Sequence, residues 1–401
     1  MTAAQRSIMS ARLAVGLAGY CTFINLYSPQ AILPMLAGDF GAGAAEISAI
    51  ITASTLAVAL TAPFTGAVAD VLGRKRVIVI AMFLLSIPTA MFALSPTLHQ
   101  MVIWRFILGL AMPPVFAVTI AYIGDEWPTH EAAAAAGVYT SGASLGGFSG
   151  RFIAGLVADA AGWRTAFFVL AAMTFAGAFV VMALLPRERK FVRSEGLVES
   201  GRQMLRHFRN SQLVATYAVG FGVLFNFIVT FTFLSFRLAA DPYDLSATWL
   251  GALFLTYLVG SATTPLTGWA LRSYGRRRFM VRVLALWFVG VLLTLAGPLW
   301  AIVLGLTLCA GCGLMCQSIS TGYVTITAKA GRSSAVGLYV TSFYLGGTAG
   351  GILGGFGWIA GGWPLCVAMV ATMLVVMAVI VIFAWTPRMP VPPVTAPIEP
   401  P

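Results

Sequence analysis

Charged residues are scarce in this 401-residue sequence: they make up 9%, whereas hydrophobic residues make up 59%. Soluble globular chains carry roughly 25% charged residues, and the mean hydropathy here is +0.90. The chain therefore belongs in a membrane. It also lacks a phosphate-binding Gly-x-x-x-x-Gly-Lys-Ser/Thr loop, spaced histidine metal ligands and a nucleophile elbow. Those absences exclude a soluble enzyme, and with no nucleotide-binding domain they exclude ATP-driven pumping by this chain alone.

Long apolar runs recur along the chain. A helix that crosses ~30 Å of hydrocarbon needs about 17 to 25 such residues. Lipid offers no backbone partners, and the alternating ten-residue pattern of barrel strands is missing, so the runs predict an all-α, polytopic membrane protein. The twelve predicted spans are 13–36, 47–68, 77–95, 101–122, 133–157, 165–185, 213–236, 247–268, 279–297, 299–322, 333–357 and 363–385.

Two sequence patterns occur twice in the same order. Pro63 to Arg76 returns as Pro265 to Arg278, 202 positions later, and a glycine-rich pattern starting at Gly137 returns at Gly337, 200 positions later. Paired repeats of several helices are typical of transporters whose halves rock about a central site. The predicted organisation is a six-helix bundle at 1–186, a cytoplasmic linker at 187–212, a second six-helix bundle at 213–387 and a disordered tail at 388–401.

Lysine and arginine are distributed unevenly between the two sets of loops. One set carries 20 of them, and the other carries only Arg164 and Arg237. Loops rich in Lys and Arg stay in the cytoplasm, so both termini are predicted to be cytoplasmic. We interpret the net charge of +11 in the same way and expect the lipid bilayer, not nucleic acid, as partner. The linker is predicted to hold an amphipathic surface helix around Leu197–Phe208.

The basic signature Gly66-x-x-x-Asp70-x-x-Gly73-Arg74-Lys75-Arg76 resembles the most diagnostic motif of the major facilitator superfamily, and Arg105-Phe-Ile-Leu-Gly109 is similar to its second motif. Across nearly its whole length the chain resembles the YnfM-type transporters of the drug-efflux-like branch. The resemblance implies a monomeric, multi-pass protein of the bacterial inner membrane that exports a small organic solute by alternating access, with the proton as coupling ion. Two features depart from the pattern: no proline adjoins the helix 5 glycines, and Arg272 replaces an acid.

The duplicated signature is predicted to act as a conformational switch. Its glycines allow helices and a tight turn to approach closely, and its acid can face a helix N-terminus or a cation. A simpler interpretation, compatible with the first, is that its arginines anchor the topology. The predicted switch residues are Gly66, Asp70, Gly73, Arg74, Gly268, Gly275 and Arg276.

Two arginines, Arg105 and Arg151, lie inside predicted spans. Charges there are costly and usually face a cavity or a partner, so both are candidates for substrate binding. An alternative is open for each: Arg105 can snorkel to the nearby membrane surface, and Arg151 can bond to carbonyls that the glycine-rich helix exposes. The resemblance adds that Arg105 lies on a helix that lines the cavity.

No Asp, Glu or His lies convincingly in the middle of a predicted span. A buried carboxylate is the simplest proton carrier, so proton coupling would use Glu46, Asp70, Asp125 or another boundary group. Two arginines without midplane carboxylates suit an anionic or zwitterionic substrate. A broad apolar pocket, with arginines that serve the structure alone, is an equally weighted alternative.

Polar side chains on helices 1, 7 and 10 are further candidates for substrate contact, because these helices and helix 4 line the cavity in the family that the chain resembles. For any one of them, an interhelical hydrogen bond is the simpler interpretation. The candidates are Tyr20, Asn25, Tyr27, Gln30, Asn226, Gln317, Ser320 and Tyr323.

Cys309, Cys312 and Cys316 share one face of a helix at spacings i, i+3 and i+7. Three thiols so placed can coordinate a soft metal or metalloid, but small apolar cysteines are also common at packed helix interfaces. We therefore expect no resident metal and no cofactor.

The sequence thus predicts a secondary active transporter, not an enzyme, that exports a drug or metabolite and is driven by an ion gradient. The alternatives are a metalloid efflux permease that uses the three cysteines, and a membrane receptor or scaffold that transports nothing.

Overall fold

The computed structural model describes residues 3–65, 69, 72–188, 204–264, 266–328 and 331–385. Two predicted switch residues, Gly66 and Asp70, therefore lie outside the described residues. So does most of the predicted linker helix Leu197–Phe208, of which residues 204–207 are helical, and so does the tail at 388–401.

Regular secondary structure in the described residues is entirely helical, which confirms the predicted all-α class. Twelve helices, numbered here α1 to α12, correspond to the twelve predicted spans. Their bounds are Ala3–Leu26 (α1), Ala44–Thr61 (α2), Arg74–Leu94 (α3), Leu98–Glu126 (α4), Thr129–Ala161 (α5), Trp163–Leu184 (α6), Ser211–Ala239 (α7), Ala247–Thr263 with Leu266–Tyr274 (α8), Arg276–Leu293 (α9), Leu299–Thr327 (α10), 332–361 (α11) and 363–384 (α12).

Several helices have the length and apolarity that a membrane span needs. Among the described residues these number seven, or eight when the bent pair of α8 is taken as one span, and the run α11–α12 counts once among them although Gly362 interrupts it. The more polar helices α1, α5 and α9 pack against these spans. The chain is a multi-pass membrane protein.

The first helix is shorter than predicted. The span 13–36 was expected to be continuous, but α1 ends at Leu26 and is followed by a 3-10 turn at Ser28–Ala31 and a short helix at Leu33–Phe40. Pro29 explains the difference, because it has no N–H to donate to the carbonyl four residues earlier. The helix breaks at that point.

The internal repeat is visible in the packing of glycines. A Cβ at Gly146 of α5 would clash with the carbonyl oxygen of Tyr20 on α1, and a Cβ at Gly346 of α11 would clash with that of Phe221 on α7. Tyr20 and Phe221 are 201 positions apart, and the two glycines are 200 apart. Each half therefore contains the same close helix crossing, which only a residue without a side chain permits.

The two halves meet at the end of the molecule that holds Gly43, Gly162 and Gly362, here called the distal end. Helix α2 packs along α11, and α5 packs along α8. A Cβ at Gly355 would lie 3.0 Å from the Cβ of Ala45. The chain therefore brings its halves together through small residues at the distal end.

Candidate substrate site between the two halves

The break in α1 exposes backbone carbonyls inside the membrane domain, and Arg105 of α4 binds them. Its Nη1 donates to the carbonyl oxygen of Asn25 at 2.8 Å, and its Nη2 donates to that of Leu26. Its Nε lies 3.5 Å from the carbonyl oxygen of Ile50 on α2. The Asn25 carbonyl would otherwise face Pro29, which has no N–H to donate. The proline at the break thus removes an N–H donor, and the arginine supplies donors in its place.

The burial of Arg105 excludes the interpretation that its side chain snorkels to the membrane surface. The residue is only 1% exposed, so it does not snorkel to a membrane surface. Its guanidinium is held by three carbonyl oxygens from α1 and α2. A charge that is buried without water needs such partners, because an unpaired one costs several kcal/mol.

The side chain of Asn25 is also fully bonded within the first half. Its Nδ2 donates to the hydroxyl of Thr174 on α6 and to the carbonyl of Cys21, both at 2.8 Å. Its Oδ1 accepts from the hydroxyl of Thr89 on α3 at 3.0 Å. These bonds tie α1, α3 and α6 together just before the break. Asn25 therefore supports the position of the broken segment.

Gln30, in the turn after the break, connects the two halves. Its Nε2 donates to the hydroxyl of Thr232 on α7 at 3.1 Å, and its Oε1 accepts from Nε of Arg151 on α5 at 2.8 Å. All three residues are buried. One amide thus bridges α5 and α7 through the turn of α1.

Arg151 lies in a cage of aromatic rings. Its guanidinium carbon is 4.8 Å from the ring centroid of Tyr27, 4.3 Å from that of Phe254 and 5.1 Å from that of Tyr257. Its Nη1 also donates to the carbonyl of Gly147 at 2.5 Å. Cations are attracted to ring faces at these distances. Two of the three rings belong to α8, so both halves contribute to the cage.

Polar contacts join the halves toward the distal end. The Asp159 carboxylate on α5 accepts from the backbone N–H groups of Ala247 at 3.2 Å and Thr248 at 2.8 Å, at the start of α8. The hydroxyls of Thr55 and Thr348 lie 3.1 Å apart between α2 and α11. In the described part of the chain, the hydrogen bonds between the halves lie on this side, which is therefore closed.

Comparison with known proteins identifies the family. The family model described as Major Facilitator Superfamily matches residues 15–271 and 239–400. The chain belongs to the major facilitator superfamily. The predicted resemblance is thereby confirmed, and this superfamily member is a membrane transporter. Proteins of this superfamily bind small-molecule substrates within the membrane and are generally not enzymes.

Individual relatives cover most of this transporter's length. It is 34% identical over 372 residues to the inner membrane transport protein YnfM of Escherichia coli, covering 92% of this chain and 88% of that protein. It is 26% identical over 360 residues to the uncharacterized MFS-type transporter YybF of Bacillus subtilis, covering 90% and 89% respectively.

Solved structures share the fold at low sequence identity. The nucleoside transporter NupG superimposes with a TM-score of 0.76 at 16% identity, covering 94% of this chain and 100% of that one. The human organic anion transporter MFSD10 superimposes with a TM-score of 0.71 at 18% identity, covering 95% and 100%. These likenesses show the fold of the superfamily in this chain.

The remaining predicted contact residues of this transporter lie apart from the cluster of Asn25, Tyr27, Gln30, Arg105 and Arg151. The hydroxyl of Tyr20 accepts from that of Ser149 within the first half at 3.0 Å. Asn226, Gln317, Ser320 and Tyr323 belong to the second half, where the hydroxyl of Tyr323 donates to Gln212 at 3.2 Å. The structure thus gathers five of the ten candidates, including the two arginines.

Asn226 is the repeat equivalent of Asn25, but it is held differently. Its Nδ2 lies 3.5 Å from the sulfur of Met377, and its buried Oδ1 has no hydrogen-bond partner in the described residues. Helix α7 continues to Ala239 without a break. The two halves of this transporter therefore differ at the point where α1 breaks.

Sequence reasoning did not anticipate Phe254, Tyr257 or Thr232 as parts of the site. Each contributes only through a partner in the other half, and no local pattern on α7 or α8 marks it. The position 200 residues after Arg151 is Gly351, so the repeat gives no second arginine either. The cage could be found only by knowing that α5 packs against α8.

The described part of the predicted switch forms tight turns before α3 and α9. Gly73 has φ +88° and Gly275 has φ +72°, a conformation that favours glycine. Next to Gly73, Arg74 forms an ion pair with Asp125 at 2.5 Å. In the second copy, the guanidinium carbon of Arg276 lies 5.0 Å from the ring centroid of Tyr323. Gly268 is helical.

The five cysteines are all buried and free of disulfides. Among the residues that the structure describes, no three His, Cys, Asp or Glu side chains are placed to hold a metal ion. Cys309, Cys312 and Cys316 belong to the packed core of α10. Their arrangement gives the metalloid alternative no geometric support.

Proposed function

We propose that this chain is a secondary active transporter that exports a small organic solute from the bacterial cytoplasm by alternating access. The driving force is an ion gradient, with the proton as coupling ion. The working unit is a monomer in the inner membrane, with both termini cytoplasmic. Its rigid bodies are the bundles 1–186 and 213–387, joined by the linker 187–212 and followed by the tail 388–401.

One observation carries this proposal: the described polar contacts between the halves lie toward one end. They are few, and most of them are neutral hydrogen bonds, which contribute about 0.5–1.5 kcal/mol each. Glycines let helices pack backbone to backbone within each half, and Gly155 and Gly251 allow the same close approach between α5 and α8. Halves whose polar contacts are confined to one end can separate there and close at the other.

Asp159 is a described acid that bridges the halves, and we propose it as a coupling group beside Glu46, Asp70 and Asp125. A carboxylate accepts hydrogen bonds more strongly when it is ionised. Protonation of Asp159 would therefore weaken its bonds to the N–H groups of Ala247 and Thr248. Glu46 instead accepts from the backbone N–H of Gly43 at 3.1 Å within its own helix start.

The direction and the driving force can be tested in everted membrane vesicles. Vesicles that contain the transporter should accumulate an exported solute when they are energised, and a protonophore should abolish the accumulation. The solute is found by comparing a deletion strain with an overexpressing strain on a panel of toxicants and metabolites. Accumulation that persists without any ion gradient would contradict gradient coupling. Purified protein that moves no solute of the panel in proteoliposomes would contradict transport itself.

A further inference from the structure

The membrane domain of this transporter contains two buried positive charges and no described carboxylate to balance them. Arg105 is 1% exposed and Arg151 is 3% exposed. Among the described residues, the ion pairs of the structure join other groups, Arg12 with Glu131 and Arg74 with Asp125. Because a buried charge without a counter-charge is costly, each arginine needs a separate explanation.

The backbone explains Arg105. All three of its nitrogen groups donate to carbonyl oxygens at the break of α1 and in α2. The guanidinium replaces the N–H group that Pro29 does not have. Each of its three nitrogens is thus already engaged by the backbone.

Arg151 is explained less completely by its surroundings. Its Nε and Nη1 are bonded to Gln30 and Gly147, whereas its Nη2 donates to no acceptor in the described residues. Its other contacts are the faces of Tyr27, Phe254 and Tyr257. Those rings attract a cation but do not neutralise it. Arg151 therefore keeps one nitrogen, Nη2, whose N–H groups donate to no described acceptor, and it keeps its full charge.

The second half shows that this helix crossing needs no arginine. The repeat equivalent of Arg151 is Gly351 on α11, which packs against Thr52 of α2. The carbonyl oxygen of Gly351 lies 3.4 Å from the hydroxyl of Ser48. The equivalent interface thus closes without any charge. Packing between the halves does not account for the arginine on α5.

An aromatic layer lies beside this cluster. The rings of Phe116 on α4 and Tyr344 on α11 are stacked at 6.2 Å, and Phe23 on α1 lies 6.2 Å from Phe116. Phe23 lies four positions before Tyr27, which covers Arg151, so α1 brings this layer close to the arginine. Flat apolar molecules bind well against aromatic rings. The layer and the arginine together combine an anion-binding group with a surface for a ring.

We propose that Arg151 is the anion-binding group of the substrate site and that the substrate is a small organic anion with a flat, apolar body. This inference rests on the proposed transport function and names the substrate class. The free Nη2 and the charge of Arg151 bind the carboxylate or sulfonate, and the aromatic layer holds the ring. When the distal end opens, Phe254 and Tyr257 move away with α8 and uncover the guanidinium.

The test uses purified full-length protein and probes that differ in charge but not in ring. Benzenesulfonate and benzoate are the anions, benzenesulfonamide and benzamide the neutral counterparts, and benzylamine the cation. The first measurement is the Tm of the protein in detergent as each probe is titrated. Chloride alone is the control for an effect of any anion. We expect saturable stabilisation by the two organic anions only. Equal stabilisation by the neutral probes, or the full effect from chloride, would overturn the proposal.

Substitutions at Arg151 test whether the organic anions bind at that residue. Arg151→Gln should weaken anion binding at least tenfold, and Arg151→Lys, which keeps the charge without the planar fork, should retain part of it. The matched control is Arg164→Gln, because Arg164 also stacks on a ring, that of Trp163 at 4.3 Å, but on the exposed surface. Unchanged anion binding in Arg151→Gln would overturn the assignment. The wild-type comparison of charged with neutral probes decides the substrate class even if that variant does not fold.

Transport assays separate this inference from the proposed function. Proteoliposomes that take up neutral or cationic solutes of the panel but no organic anion would refute the anion site and leave the transport function standing. Proteoliposomes that move no solute at all would refute the transport function, and the anion-substrate inference with it. Gradient-driven uptake of the anions, lost in Arg151→Gln and kept in Arg164→Gln, is the expected result.

Discussion

Nη1 of Arg105 lies 2.8 Å from the carbonyl oxygen of Asn25, on the turn of α1 that Pro29 leaves unbonded. A second donor, the hydroxyl of Ser28, lies 3.0 Å from the same oxygen. The amide N–H of Gln30 bonds to Tyr27 at 3.0 Å rather than to Leu26, so the Leu26 carbonyl also depends on Arg105. An arginine in one helix thus compensates for a proline in another.

Replacing Arg105 should therefore destabilise the first half before it affects any ligand. We expect Arg105→Leu to cost about 2–4 kcal/mol, since hydrogen bonds to charged groups contribute roughly 1.5–3 kcal/mol each and the buried Leu26 carbonyl loses its described donor. The measurement is the Tm of the purified protein in detergent.

A double-mutant cycle with Pro29→Ala tests whether Arg105 compensates for the missing N–H of Pro29. Alanine restores the N–H that the Asn25 carbonyl lacks, so Arg105→Leu should cost less in the Pro29→Ala background, with a coupling of about 0.5–3 kcal/mol. Strictly additive changes in Tm would mean that the arginine and the proline are independent. Asn25 itself stays unchanged in both arms of the cycle.

Much of this architecture could be predicted from the amino-acid sequence, because apolar runs and short motifs can be read directly along the chain. Twelve apolar runs, the duplicated signature and the glycine pattern from Gly137 gave the all-α class and the two related halves. The predicted resemblance to the superfamily was correct. Span ends were less accurate: Pro29 was placed inside a continuous helix, although its missing N–H argues for a break there.

The partners of the site residues could not be predicted, because they depend on how helices from different halves pair. Arg105 and Arg151 were both chosen as candidates from their cost in a membrane. Their environments differ: carbonyl oxygens hold Arg105, whereas three rings, one amide and one carbonyl surround Arg151. Sequence spacing carries no information about which helix of the second half would supply Phe254 and Tyr257.

Glycine substitutions test the repeated helix crossings. Gly146→Ala and Gly346→Ala would each place a Cβ against a carbonyl oxygen, that of Tyr20 or Phe221. We expect a loss of about 1–3 kcal/mol in each case from overpacking, seen as a lower Tm. The matched controls are Gly137→Ala and Gly337→Ala, since no atom lies within 4 Å of a Cβ there. Controls that destabilise as much as the crossing variants would refute the packing argument.

Topology is tested with an impermeant maleimide on intact cells. The native cysteines are buried, so a new exposed cysteine should dominate the labelling. Gly43→Cys, at the exposed distal end, should react from outside. Ser211→Cys, exposed at the start of α7, should react only after the cells are permeabilised. Labelling in the reverse order would invert the orientation inferred from the Lys and Arg distribution.

The cysteines of α10 provide a test of the metalloid alternative. Cys309, Cys312 and Cys316 are buried in the core, so changing all three to alanine should leave transport of organic solutes nearly intact, with a modest fall in Tm from lost packing. Resistance to arsenite and antimonite is measured in parallel in an overexpressing strain. A selective loss of that resistance, with other transport kept, would favour a metalloid substrate instead.

A disulfide across the closed distal end tests alternating access itself. A Cβ at Gly351 on α11 would lie 3.3 Å from the Cβ of Thr52 on α2, close to the separation that a disulfide needs. In a background without the native cysteines, oxidation of Thr52→Cys/Gly351→Cys should therefore lock the halves together and reduce flux in proteoliposomes to background. A reducing agent should restore the flux, and each single-cysteine variant, oxidised in the same way, should transport normally.

The Ala45→Cys/Gly355→Cys pair, with a Cβ separation of 3.0 Å, should give the same lock one turn closer to the distal end. Full flux through a cross-linked protein would mean that the distal contacts do not open during transport, because a transporter whose halves must part at that end cannot work with them covalently joined.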